Sequence, residues 1–245
     1  MEIIKVEGIV VKEKDYKESS KILDIITKEY GLISVISKGS KKLKSKLRVS
    51  SSKLSYAYFH IYYKEGKLST LVDADIINPF NNIKTNLNKI GYSSFILELS
   101  MQVIKQNNND NIFDLLKTSL IKIEDGFDEM IVTNILELKY LDYLGIMPNF
   151  NNCSKCGKTD ILTLSLEKGG FICKNCHKNE RIVNRNTLKI IRMLYYVDIN
   201  KITKINVSDE VKKEIDLFID EYYDKYSGLY LKTKKFLKNI KNSYT

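Results

Sequence analysis

The chain has 245 residues, 43% of them hydrophobic, with 40 basic residues, 30 acidic residues and a formal net charge of +10. That length supports one large or two modest domains whose cores need no disulfide staples. It holds no run of the about 18 or more apolar residues that a membrane span requires, since even GYSSFILELSM is broken by Glu98.

Of the basic residues 36 are lysine, in a chain rich in Asn and Ile, so the distribution of charge says more than its total. The excess lies at the two ends and again in residues 153–186, whereas residues 81–152 are net acidic.

The opening MEIIKVEGIVVKEKDY interrupts any apolar run with charge and offers no small-residue cleavage site, so it reads as a strand rather than a leader. Four more short β-branched or aromatic runs follow, SKILDIITKEYG, LISVISKG, LSYAYFHIYY and LSTLVDADII, separated by turn chemistry such as Lys28 to Gly31 and Lys64 to Gly66. Five strands this short leave open edges unless the sheet closes on itself. Residues 1–80 are therefore expected to form a five-stranded barrel of the OB type, a nucleic-acid-binding architecture.

Between the third and fourth strands lies KGSKKLKSKLRVSSSK, residues 38–53, with Lys38, Lys41, Lys42, Lys44, Lys46, Arg48 and Lys53 and no acid. Such a segment can track a phosphate backbone and release counterions, and Gly39 with the serines reads as a mobile loop. A solvated loop in a lysine-rich chain is the plainer alternative. Just downstream, Tyr56, Tyr58, Phe59, Tyr62 and Tyr63 share one strand, so some rings face outward if others fill the barrel. Outward rings beside a basic loop suit stacking on unpaired bases; inward ones are core. His60 is expected to be structural. Asp73 and Asp75 form a DxD that a metal-dependent nuclease would use, but paired surface carboxylates on a strand are common without one.

After Pro79 the apolar period becomes helical. Ile112, Leu116, Leu120 and Ile123 recur at that spacing, as do Phe127, Ile131, Ile135 and Leu138, and later Val211, Ile215, Phe218 and Tyr222, which predicts a helical domain over residues 81–245. QNNNDN at 106–111 reads as an interhelix loop, Gly145 with Pro148 as a helix stop, and Ser208 followed by Asp209 and Glu210 as an N-cap with first-turn acids.

All four cysteines fall into two pairs, Cys153 and Cys156 in NCSKCG, then Cys173 and Cys176 in FICKNC, sixteen residues apart. CxxC followed by a histidine, here His177, could tether a c-type haem, carry a redox dithiol or supply two ligands to zinc. Two pairs at this separation with no cysteine left over match a four-thiolate zinc ribbon, in which each pair grips one side of a tetrahedral ion. A thioredoxin site uses one CxxC at a helix start, whereas Gly169 and Gly170 suit the entry to a turn. The expected unit is a structural zinc insertion at 150–182 with His177 a bystander, and its thiolates point to a reducing, cytoplasmic setting. No GxxxxGK[ST] loop, HExxH or nucleophile with an adjacent base is found, which favours binding over catalysis.

The stretch GIVVKEKDYKESSKILDIITKEYGLISVISKGSKKLKSKL, with Gly8, Tyr16, Glu18, Thr27, Glu29, Gly31 and Lys38-Gly39, resembles the opening of the bacterial RecO family of recombination mediators. ELKYLDYLGIMPNFNNCSKCG and GGFICKNC are similar to that family's helix stop and two zinc knuckles. The resemblance implies an α+β multidomain chain, an N-terminal OB-type barrel followed by an all-helical domain carrying an inserted four-cysteine zinc ribbon. It implies a nucleoid-associated protein that binds single- and double-stranded DNA, anneals complementary strands without ATP, and works with RecR to replace single-stranded-DNA-binding protein by RecA. Cys153, Cys156, Cys173 and Cys176 would be the zinc ligands and the basic residues from Lys38 to Arg48 DNA contacts. Two departures stand out. Ser50 to Ser52 replace a more apolar run leading to a proline, and lysines stand where the family often has arginines. Lysine lacks the planar fork of arginine, so backbone tracking is expected rather than base readout. The rival reading is a zinc-ribbon DNA-binding or polymerase-associated scaffold or transcription protein, which would prefer one duplex sequence.

Overall fold

The computed structural model describes residues 3–203 and 205–243. Strands β1 (Ile3–Tyr16), β2 (Ser20–Thr27), β3 (Gly31–Ser37), β4 (Tyr56–Tyr62) and β5 (Ser69–Asn78) close into a barrel in the order β1-β2-β3-β5-β4. Every neighbouring pair is antiparallel except β3 with β5. This is the OB-type barrel expected from five short β-branched and aromatic runs. Val6, Val10, Leu23, Ile25, Val35, Phe59, Ile61 and Leu71 point inward and form its core.

The long β1 serves two partners. Ile3 to Ile9 pair with β4 and Gly8 to Tyr16 with β2, and a bulge between Val10 and Lys12 bends the strand from one to the other, the device by which a short sheet curls shut. Gly8 sits where both partners meet, and a Cβ there would lie 2.7 Å from the Ile25 side chain.

The chain divides into two compact units, residues 1–126 with 231–245, and residues 127–230. In the first, α1 (Asn81–Lys84), α2 (Leu87–Gln106), α3 (Asn111–Glu124) and the C-terminal α7 (Lys232–Ser243) accompany the barrel. Asn86 caps α2 by accepting from the Lys89 N–H at 3.1 Å. The polar segment expected as a loop is shorter than its composition suggests, because Gln106 ends α2 and Asn111 begins α3. Its Asn108 side chain seats against Gly31, where a Cβ would meet Oδ1 at 2.3 Å.

The second unit holds α4 (Glu129–Tyr143), the hairpin β6 (Ile161–Ser165) and β7 (Gly170–Cys173), α5 (Arg185–Tyr196), a short 3-10 turn and α6 (Asp209–Tyr226). Gly145 closes α4 at φ 71° with its N–H on the Asp142 carbonyl, as expected. Ser208 stands at the N-cap of α6 without a side-chain capping bond; Asp209 instead pairs with Lys212 at 2.8 Å. Phe150 is fully buried against the rings of Phe171, Tyr195 and Phe218, with centroids 5.3, 5.3 and 6.2 Å away.

Asn149 ties the cysteine-bearing hairpin to this aromatic core. Its N–H donates to the Gly169 carbonyl at 2.8 Å and its carbonyl accepts from Phe171 at 2.9 Å, so the backbone of Gly170 presses directly on Asn149. At φ 142° a Cβ on Gly170 would lie 2.3 Å from the Asn149 oxygen. Gly170→Ala is therefore expected to destabilise the second unit by about 2–4 kcal/mol, read as a lowered urea midpoint in circular dichroism; an unchanged midpoint would show that the hairpin yields.

Candidate nucleic-acid interface and metal centre

Residues 38–55 run from β3 to β4 as successive tight turns closed by Lys42 N–H on Gly39, Ser45 on Lys42, Arg48 on Ser45 and Ser52 on Val49. The serines hold this cap down. Ser37 and Ser51 are fully buried and share a hydrogen bond of 2.7 Å between their hydroxyls, while Ser50 and Ser55 donate to the carbonyls of Leu47 and Val49 at 3.2 and 2.8 Å. Leu47 packs on the barrel core, and the Lys41 N–H reaches the Ser19 carbonyl at 2.9 Å. The expectation of a mobile loop made flexible by serine is thus corrected: the serine hydroxyls are the fastenings.

With the serines inward, the charges face out. Lys38, Lys42, Lys44, Lys46 and Arg48 are exposed. Lys41 is ion-paired with Asp15 at 2.6 Å, and its ammonium holds the Asp15 carboxyl below the usual range. Lys53 is half buried; burial draws its pKa down, against the opposing charges of Glu98 and Glu13. The cap also exposes two apolar side chains the charge count passed over, Leu43 at 82% and Val49 at 58%.

On β4 the rings alternate as strand geometry requires. Tyr56 and Phe59 are buried, and the Tyr56 hydroxyl bonds the Glu7 carboxylate, whereas Tyr58 and Tyr62 face outward with Lys5 4.8 Å above the Tyr58 ring. Tyr63 packs against Tyr30 at 4.8 Å. His60 and Lys5 both engage Asp75, at 3.0 and 3.3 Å, and lower its pKa; Asp73 bonds the N–H of Ala74. Among the described residues these two carboxylates belong to no cluster of three or more metal-ligating groups.

The four cysteines do form such a cluster. The Sγ atoms of Cys153, Cys156, Cys173 and Cys176 lie within 4.8 Å of one another, and all four are free thiols. A tetrahedral ion with metal–sulfur bonds of about 2.3 Å needs sulfurs about 3.8 Å apart, so the set fits one. Each CxxC is wound into a turn: the Gly157 N–H meets the Cys153 carbonyl at 2.8 Å, and the Cys176 and His177 N–H groups meet the Cys173 carbonyl at 3.0 and 2.9 Å. Burial opposes ionisation of Cys153, but backbone hydrogen bonds from Cys173, Lys155 and Cys156 outweigh it and lower the thiol to about 6. Hydrogen bonding within the cluster, first from Cys156, pushes Cys176 up to about 12. His177 directs Nε2 to the Glu180 carbonyl at 2.9 Å.

Comparison with known proteins covers nearly the whole chain. Residues 1–80 match the family model Recombination protein O N terminal, and residues 84–235 match Recombination protein O C terminal. The chain is 35% identical over 241 residues to a DNA repair protein RecO of Bacillus cytotoxicus, spanning 96% of this chain and 97% of that one. It is 33% identical over 241 residues to that of Listeria monocytogenes serotype 4b, covering 96% and 94%, and 31% identical over 243 residues to that of Halalkalibacterium halodurans, covering 97% and 95%.

Ser51→Ala would leave the buried Ser37 hydroxyl without this partner. The expected cost is about 1–3 kcal/mol of stability, with faster amide hydrogen exchange confined to residues 42–52. Exchange unchanged in that segment would mean the cap is held by other contacts.

Proposed function

The chain belongs to the RecO family of DNA repair proteins, and from that premise we propose that it acts as a recombination mediator, by binding rather than by catalysis. It holds single- and double-stranded DNA through phosphate contacts, brings complementary strands together without ATP, and with RecR helps RecA displace single-stranded-DNA-binding protein in the bacterial cytoplasm. The observation that carries this reading is the basic cap, five exposed cationic side chains on a segment whose serines are fastened beneath it. A preorganised cationic ridge lowers the ordering cost of meeting a flexible strand. Lys38, Lys42, Lys44, Lys46 and Arg48 are the proposed contacts; Lys41 and Lys53 support them, since one is ion-paired and the other half buried. The outward Tyr58 and Tyr62 are available for stacking.

The cysteine cluster is assigned a structural zinc ion. Four thiolates complete a tetrahedron and leave no position for a reacting water, so the metal's contribution is to fold the second unit. The apolar cluster there is small, Cys153, Ile172 and Cys173 with Ile161 and Cys176, which is too little to order a hairpin in water by itself.

If the five exposed residues each neutralise one phosphate, single-strand affinity falls with salt at a log–log slope of about −3.5. Replacing Lys42, Lys44, Lys46 and Arg48 by Ala should weaken binding and flatten that slope to about −0.7. A steep slope retained in the variant, or strong preference for one duplex sequence, would overturn the assignment. Purified protein should carry one zinc per chain, and Cys173→Ser none, with loss of the second unit's cooperative unfolding. Such sites contribute on the order of 10 kcal/mol, so full stability in the metal-free variant would refute the structural role.

A further inference from the structure

The two densest basic stretches without an acid stand at opposite ends of the sequence, residues 38–53 and residues 231–245, LKTKKFLKNIKNSYT, which holds five lysines. The fold returns the second stretch to the unit that contains the barrel. A carboxylate helps to fasten it there. Glu98 of α2 accepts from the N–H groups of Lys232 and Thr233 at 3.1 and 2.7 Å and from the Thr233 hydroxyl at 2.6 Å, so it caps the first turn of α7, where its negative charge also suits the helix dipole. Leu237 is buried, 4% exposed. A free lysine-rich helix of this length would not persist in water, so docking is what makes α7 a defined surface.

Glu98 also bears on the cap, because its charge is felt at Lys53, where the basic segment ends. The carboxylate that holds the start of α7 thus also acts electrostatically on the end of the cap. On α7, Lys232, Lys235 and Lys238 are exposed at successive three-residue intervals, with the half-exposed ring of Phe236 among them. Neighbours at that interval have Cβ atoms about 5–6 Å apart, and α7 contains no acid of its own, so the helix turns a row of cationic side chains to solvent, a surface suited to an anionic polymer lying along it.

We propose that α7 is a second phosphate-binding element, which takes the second DNA strand while the cap holds the first. One unit of one chain would then present both strands, with the repulsion between them screened from two sides. This rests on the annealing reading above and adds the element that carries the partner strand.

The test uses the full chain, the variant K232A/K235A/K238A and its charge-keeping counterpart K232R/K235R/K238R. Two readouts are needed, binding of one labelled oligonucleotide and the rate at which two complementary oligonucleotides anneal without nucleotide. The alanine variant should bind a single strand within threefold of the unaltered chain yet anneal at least tenfold more slowly, and the arginine variant should anneal at the unaltered rate. Equal annealing by the alanine variant would overturn the inference alone. So would slow annealing by both variants, which would mark the lysines as structural, or a loss of single-strand binding beyond threefold, which would place α7 on the first strand's path. If the unaltered chain binds DNA but does not anneal, the annealing reading falls and this inference with it.

Discussion

The parallel pairing of β3 with β5 governs the first unit. Val35, Ile36 and Ser37 pair with Ser69, Thr70 and Leu71, so β5 occupies the place beside β3 that the next strand in sequence would otherwise take. β4 must instead pair with β1 and β5, and the chain leaving Ser37 has to cross to reach it at Tyr56. That crossing is the basic cap. A segment laid over a barrel buries part of its backbone, and each buried polar group then needs a partner. Serine supplies hydroxyls small enough to turn inward, which is why Ser37, Ser40, Ser50, Ser51 and Ser55 are all buried under a segment that carries seven cationic residues. The charges face outward because a lysine driven inward would lose its hydration, as the depressed pKa of the half-buried Lys53 illustrates.

The second unit answers a different constraint. Its hairpin is two short strands whose own apolar cluster is mostly cysteine, and it leans on two further features, the four-cysteine cluster to which a structural ion is assigned above and the Asn149 backbone against Gly170. The first closes the tips of the two CxxC turns, and the second joins the hairpin base to the buried rings around Phe150. Thr163 and Ser165 extend the same attachment, bonding the Arg181 carbonyl and the Glu180 carboxylate at 2.6 and 2.9 Å, so the segment after the second cysteine pair is fixed before α5 begins.

Much of this was legible in the sequence, and the limits are physical. Short β-branched and aromatic runs between turn residues marked all five barrel strands because such side chains fill a barrel, and the cysteine spacing marked the four-thiol cluster because a tetrahedron fixes its own geometry. The serines were misread because serine is favoured in exposed turns for the same hydrogen-bonding capacity that here secures a buried one; only the crossing imposed by the β3–β5 pairing distinguishes the two cases. Lys41 and Lys53 are indistinguishable by sequence from Lys42 and Lys44, since the partner Asp15 and the burial come from the fold. The return of α7 was also invisible. Glu98 and Thr233 are 135 residues apart, and in the sequence Glu98 is noticeable only as a charge within an apolar run.

That same charge bears on how a lysine-rich surface is kept from being a source of instability. On the mediator reading proposed above, binding through phosphates alone would be blind to sequence and sensitive to salt, properties that suit a protein which acts wherever a strand lies bare and then leaves it. Lysine fits this better than arginine, because a hydrated point charge tracks a backbone without the bidentate grip that would fix it to particular bases. The cost is self-repulsion among the cations in the absence of DNA. Within the described residues the structure offsets part of it by placing carboxylates behind the basic elements, Asp15 at Lys41, Glu13 at Lys21 and Glu98 at the head of α7. These acids anchor the edges of the basic elements while the outer lysines stay exposed, so part of the self-repulsion is offset and the cationic surface is kept.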